Sequence, residues 1–353
     1  MALLFYEGFD NWIGGTFTTQ YSGQYGVNQI SSWIMATSMT AGTLGGQAIS
    51  CGNTGYITYY TNAAQTGTLV HGFRVNFTVG TNNQIMSWCD TAPGSGIVPT
   101  APGSIQCGLS TNASGKLIFW RGTNANILGT GTTTLVSLTD NYIEVKFNVA
   151  STGANVTVRL NGVNEIVLTN QNTQNTANAN WMGWSTAQTP GGTTYKYDDM
   201  YLLDTSGPAP LNDFLGIVRV ETLFPSANSS VTWTPNASTN VSRVQETTMD
   251  SDTTYNATAT LNNVDLFTHG SLGSTPNTIF CGKVQSFVRK EDVAIHTVRT
   301  KLVSGATTAN GTSRGITTIY QAQEDYYPTD PNTALAWTGA NVNGTTIGYE
   351  LVS

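Results

Sequence analysis

Few side chains in this sequence can carry chemistry. It holds three histidines (His71, His269, His296) and four cysteines (Cys51, Cys89, Cys107, Cys281). A serine or cysteine triad needs its nucleophile beside a histidine that an acid orients. His71 alternates with Leu69 and Phe73 on an apolar strand face and reads as a core histidine. His269 precedes Gly270 in a turn, His296 falls in a strand, and neither adjoins a GxSxG-type elbow. No catalytic residue is therefore assigned, and the chain is expected not to be an enzyme. The cysteines lack metal-ligand spacing and read as buried thiols; if any pair bonds, Cys89 and Cys107 are the candidates, across one loop. Paired carboxylates for glycoside hydrolysis should lie about 5 to 9.5 Å apart on one strand face. The nearest acids, Asp198-Asp199 and Glu324-Asp325, are sequence neighbours, which a strand points opposite ways. Sugar binding without catalysis uses aromatic platforms, and Trp120, Trp181 and Trp184 are the candidates; the alternative is that they are core or interface residues.

These residues need a framework, and the composition states which kind. Only 10% of the 353 residues are charged, Gly reaches 37, and Thr and Asn abound. Such a chain is a poor helix former and suits strands and turns, so the expected fold class is all-β: two β-sandwich (jelly-roll) domains in tandem. The formal charge of −7 leaves no basic stripe to displace counterions from phosphates, which excludes nucleic acid and an anionic membrane as partners. No apolar run approaches the ~20 residues of a membrane helix. The opening MALLFYEGFD has neither the basic region nor the apolar length of a secretion signal, so synthesis in the cytoplasm is expected.

Period-2 alternation places strands at TLVHGFRVNFTVG, NYIEVKFNVA, Lys116 to Arg121 and Tyr195 to Asp204. In NVTVRLNGVNEIVL the Asn161-Gly162 pair predicts a hairpin. The first domain is expected over 1–204. The stretch 205–213, with two prolines, a glycine and no periodic face, reads as the linker. A smaller sandwich is expected over 214–353, built from segments such as TIFCGKVQSFVRK and AIHTVRTKLVSG.

The order FYEGFD, GFRVNFT, IEVKFNV, VTVRLNGV and YKYDDMYLLD resembles concanavalin-like, laminin-G-type jelly rolls over about residues 1–205. In that family the closing strand returns beside the first. If it does so here, Glu7 and Asp10 could meet Asp198 or Asp199 and supply oxygens to calcium, the one cofactor considered and not a required one. The alternative is that these acids are solvated edge charges that discourage strand addition. The segments GPAPLNDFLGIVRVETLFPSA, DTTYNATAT and AWTGANVNGTTIGYELVS extend a resemblance to two-part proteins of tailed bacteriophages over almost the whole chain. The resemblance implies a non-enzymatic virion structural protein, a capsid decoration or tail-associated component made in the host bacterial cytoplasm. Its partners would be other virion proteins and further copies of itself. The rival expectation is a receptor-binding or host-surface lectin whose first domain binds a glycan.

Overall fold

The computed structural model describes residues 3–11, 37–42, 44–51, 57–90, 105–177, 179–184, 194–247 and 249–353, with backbone alone at 37–38, 57–65 and 179–184. It is an all-β protein, and the chain divides into two compact units between Val220 and Glu221.

The first unit contains β1 (Leu3–Glu7), β2 (Thr37–Ala41), β3 (Gln47–Cys51), β4 (Ile57–Gln65), β5 (Leu69–Phe77), β6 (Gln84–Cys89) and β7 (Ile105–Thr111). It continues with β8 (Lys116–Arg121), β9 (Ile127–Thr134), β10 (Asn141–Phe147), β11 (Ala154–Leu160), β12 (Val163–Gln171), β13 (Ala179–Trp184) and β14 (Tyr195–Leu203). These form two antiparallel sheets. One has the order β12-β11-β10-β5-β14-β3-β2, with β1 also paired to β14; the other runs β4-β13-β6-β7-β8-β9. The closing strand does lie beside the first, with Glu7 opposite Met200.

The alternating residues of β5 fill the space between the sheets. His71, Phe73, Val75 and Phe77 are all buried, and ring contacts run from Phe77 through Tyr195, Tyr197, Phe73 and His71 to Trp88. Trp88 of β6 then meets Phe147 of β10 at 4.0 Å between centroids, and the Tyr197 hydroxyl donates across to the Ile85 carbonyl at 2.7 Å. The hairpin expected at Asn161-Gly162 joins β11 to β12. Both residues adopt positive φ, 50° and 84°, which asparagine and glycine tolerate best. Asn161 is locked further, its Oδ1 accepting from the Tyr142 backbone N–H at 2.8 Å.

The residues read from sequence as a linker belong to the first unit. After β14 the chain runs back over the outer face of the larger sheet. Phe214 lies 3.9 Å beneath the Arg159 guanidinium, Asp213 pairs with Lys146 at 3.0 Å, and Leu211 is buried. The N–H groups of Leu215, Gly216 and Val220 bond to Tyr201, Glu144 and Asp199. Lack of a periodic apolar face concealed this packing, because the strap is held one residue at a time. It also explains Glu144. Glu144 alternates with Ile143 and Val145 and so faces away from the core between the sheets, yet it is fully buried beneath the strap.

The second unit comprises β15 (Pro225–Val231), β16 (Thr234–Pro235), β17 (Asn256–Ala257), β18 (Val264–His269), β19 (Gly282–Val288) and β20 (Thr297–Ser304). Then follow β21 (Thr307–Asn310), β22 (Arg314–Gly315), β23 (Gln321–Tyr327), a short helix α1 (Gly339–Asn343) and β24 (Thr346–Leu351). Its main sheet has the order β15-β18-β24-β20-β21, with β22 on β20, and β19 and β23 form a separate ribbon. Val284 of the ribbon packs with Leu302 of the sheet and with Trp337. Buried acids fasten the loops. Asp265 accepts from the backbone of Thr232 and Trp233 and from Asn240 and Tyr349. Asp330 accepts from Ser304, Thr333, Asn341 and the Asn332 backbone; although burial would raise its carboxyl, these bonds hold it below its ordinary range.

Gly72 of β5 faces the Tyr201 ring, and a Cβ there would fall 2.0 Å from Tyr201 Cε1. The Tyr201 hydroxyl is bonded to buried Glu144 at 2.5 Å, so the ring cannot swing aside. Gly72→Ala is expected to cost roughly 1–3 kcal/mol through overpacking, read as a lower denaturation midpoint at unchanged slope.

Candidate functional site

The predicted acids converge where the larger sheet branches. β14 pairs with β3 as far as Tyr197 and with β1 from Met200 onward, so Asp198 and Asp199 span the change of neighbour. The pairing of β14 with β5 slips between Asp198 and Tyr201, and Asp199 has φ 51°. This irregularity overrides strand alternation, and both carboxyls feel the charge of Arg74. Arg74 Nε donates to Asp199 Oδ2 at 2.9 Å, while Asp199 Oδ1 accepts from the Val220 N–H at 2.8 Å. The Tyr142 hydroxyl donates to the Asp199 carbonyl at 3.0 Å.

Asp198 is 6% exposed, and its Oδ1 accepts from the Asp199 N–H at 2.8 Å. Burial first, then the charges of Asp199 and Asp10, push its carboxyl up to about 8. Burial also raises Asp199, against the pull of the Val220 and Arg74 bonds. Asp10 Oδ1 accepts from the Gln47 N–H at 2.9 Å, fastening the segment after β1 to β3. Glu7 turns to its own backbone, its Oε1 accepting from Gly8 and Phe9.

Asp10 and Asp199 both act on Asp198 through their charge, and protein donors occupy Asp10 Oδ1, Asp198 Oδ1 and both oxygens of Asp199. Among the described residues no group of three or more His, Cys, Asp or Glu is placed to hold a metal ion. What the arrangement does chemically is anchor β1, the β2–β3 segment and the strap to one point on β14.

The aromatic candidates fare differently. Trp120 is a correction: it is buried at 2% exposure, clusters with Cys89, Ile105 and Ile118, and lies against Gly108. The absent Gly108 side chain makes room for the indole, so Trp120 cannot serve as an exposed platform. Trp181 and Trp184 have backbone positions in β13, between β4 and β6, and their side chains lie outside the described residues.

His71 is a core residue as expected. It is fully buried between Phe73 and Trp88, and burial lowers its pKa to about 3. His269 faces Thr345 and the Gly270 carbonyl, and His296 faces Asp292. All four cysteines are free thiols, Cys89 and Cys107 included. Burial raises each of them, Cys89 and Cys281 to about 12, which suppresses the nucleophilic thiolate.

Sequence reading missed the partners that engage Asp199 and Asp10, namely Arg74, Val220 and Gln47, because their pairing is across strands and strap. It also passed over the surface. Apolar side chains stand in solvent at Val136 and Leu138 in the first unit, and at Val293, Ile295 and Ile319 in the second.

No family model matches the sequence, and no curated protein matches it. Several solved structures share its all-β character at low similarity. The binding domain of Paraclostridial Mosquitocidal Protein 1 is 11% identical with a TM-score of 0.39; the match covers 57% of this chain and 49% of that one, about half its length. Domain 4 of AbnA, a GH43 extracellular arabinanase from Geobacillus stearothermophilus solved with arabinotriose, is 15% identical with a TM-score of 0.38, covering 57% and 92%. A botulinum neurotoxin type C structure, whose cell entry depends on two ganglioside molecules, is 8% identical with a TM-score of 0.36, covering 91% and 92%. The neighbours include carbohydrate-binding and receptor-binding all-β domains.

A carboxyl raised on folding binds its proton more tightly in the native state, so its contribution is complete below the unfolded pKa and is lost as pH rises through the folded value. Between about pH 4 and 8 Asp198 should therefore erode stability, by on the order of a few kcal/mol. Asp198→Asn removes the titration. Urea melts across that range should show the variant gaining on the wild type as pH rises; parallel profiles would refute the assignment.

Proposed function

We infer that this chain is a non-enzymatic structural protein of a tailed-bacteriophage particle, assembling with other virion proteins and with copies of itself through the surfaces of its two β units. One observation carries the non-enzymatic part. The side chains competent for chemistry are committed to the fold: His71 lies in the core, the thiols are suppressed, and Asp199, Asp265 and Asp330 anchor loops and strap. The assembly part draws on what is displayed instead, ordered loops that hold aliphatic residues in solvent. Docking would bury these while Thr and Asn around them form hydrogen-bonded, partly hydrated contacts. The phage setting comes from the sequence resemblance.

Immunogold electron microscopy of purified particles of the encoding phage tests this directly. Label on the head marks a decoration or cement protein, and label on the tail a tail component. No label, with the epitope reactive in disrupted particles and the chain absent from their protein content, overturns the reading. A glycan array addresses the lectin alternative: saturable binding to a bacterial polysaccharide, lost in Trp181→Ala or Trp184→Ala, would replace the structural role with receptor recognition.

A further inference from the structure

We propose that the loop from Arg289 to His296 in the second unit is a self-recognition site, through which two copies of this chain pair about a two-fold axis. It deepens the assembly reading above by naming the surface and its occupant.

The starting observation is a contrast in composition. In a chain that is only 10% charged, Arg289-Lys290-Glu291-Asp292 is the single run of four charged residues. Directly after it stand Val293, 99% exposed, and Ile295, 85% exposed, which exceed every other large hydrophobic among the described residues. Ile319, also exposed, belongs to a segment hydrogen-bonded to this loop. Lys290 N–H donates to the Thr317 carbonyl at 2.8 Å, and Ile316 N–H to the His296 carbonyl at 3.0 Å. One exposed aliphatic residue needs no explanation, but here three stand on two segments tied by backbone hydrogen bonds.

The loop is ordered before any partner arrives. Asp292 Oδ1 accepts from the Ala294 N–H at 3.1 Å, and both Asp292 oxygens lie 3.1 Å from His296 Nε2. Lys290 Nζ donates to the Ala294 carbonyl. Arg289 bonds Asp252 and Glu291, and its guanidinium sits 5.4 Å over the Tyr320 ring. Aliphatic side chains held out on such a frame lose little further freedom on binding, which is what a recognition loop requires.

The charges identify the occupant. The quartet reads positive, positive, negative, negative. Laid antiparallel on itself, as a two-fold axis between positions 290 and 291 would place it, Arg289 faces Asp292 of the second copy and Lys290 faces Glu291. Every sign then meets its opposite, and the symmetry repeats each pair. Both carboxylates keep a solvent-facing side beside their bonds to Arg289 and His296, the Glu291 and Asp292 side chains being 77% and 59% exposed, whereas Arg289, 22% exposed, would share its existing bonds to Asp252 and Glu291 with the second copy. The quartet has no net charge, so an anionic lipid surface would gain no net attraction from it. A contact of one loop pair falls below the roughly 1,200 Å² of stable complexes, so it should be weak in solution and strengthened where many copies share one particle.

The test uses the full chain in analytical ultracentrifugation from about 10 μM to about 1 mM, the range in which a weak dimer populates. The mass should climb from one chain toward two. Lys290→Glu places like charges together twice and should weaken pairing by ~10-fold or more. Lys290→Glu with Glu291→Lys restores opposite signs in exchanged order and should recover pairing. Both variants lose the Lys290 to Ala294 bond, so recovery separates charge pairing from loop damage, and wild-type thermal melts verify that the variants fold. Val293→Ser with Ile295→Ser should abolish the dimer. A single-chain mass throughout, a double charge variant no better than the single one, or association indifferent to all three variants would each overturn the proposal. Vesicle co-sedimentation that depends on Val293 and Ile295, without any mass change, would assign the loop to lipid and also overturn it. A dimer through this loop in a chain absent from particles would leave this inference standing and remove the particle assignment; incorporation without pairing would do the reverse.

Discussion

Strand β14 has to satisfy three neighbours with one backbone. It pairs with β5 along most of its length, with β3 at its beginning and with β1 at its end. A regular strand has a single free edge, so exchanging one partner for another leaves backbone groups to be satisfied at the junction. The irregularity at Asp198 and Asp199 is the solution. It bends the strand, frees two carboxyls from alternation, and uses that of Asp199 as the acceptor for Arg74 and for the strap. The Arg74 pair, the Tyr142 hydroxyl on the Asp199 carbonyl and the strap bond at Val220 all depend on that bend.

Charge is scarce, and several ionised groups among the described residues have an architectural task. Asp199 with Arg74, Glu350 with Arg299 and Lys301, and Asp325 with Arg314 all tie separate strands or loops together at distances of 2.6 to 2.9 Å. Buried pairs of this kind add little net stability, yet breaking one leaves an uncompensated charge, so they specify register and loop position. The remaining surface is largely hydroxyl and amide. Against that background the loop at 289–296 stands out, because it concentrates charge and exposed aliphatic surface in one place.

The strap from Asp204 to Val220 shows how a segment can be integral without any periodicity. Each anchor is of a different type: a cation over the Phe214 ring, an ion pair at Asp213, a backbone bond at Gly216 and another at Val220. Glu144 can be fully buried in the middle of a sheet's outer face because Tyr201 and the Gly216 N–H donate to it.

The sequence by itself determined the all-β class, the strands at Leu69–Phe77, Asn141–Phe147 and Lys116–Arg121, the Asn161-Gly162 hairpin and the core position of His71. Those features follow from period-2 alternation and local turn chemistry, which act over a few residues and survive in any tertiary context. The return of the closing strand beside the first came from family resemblance. Tertiary structure alone decided where the first unit ends, that Trp120 is core, that Glu144 is buried, and that Asp198 and Asp199 act together. Each of these depends on what lies opposite: a glycine that admits an indole, a strap that covers a sheet, a strand that changes partner. Contacts between residues more than fifty positions apart leave no periodic trace in the chain, because burial is set by the neighbour that covers a side chain and not by the polarity of the residues beside it in sequence.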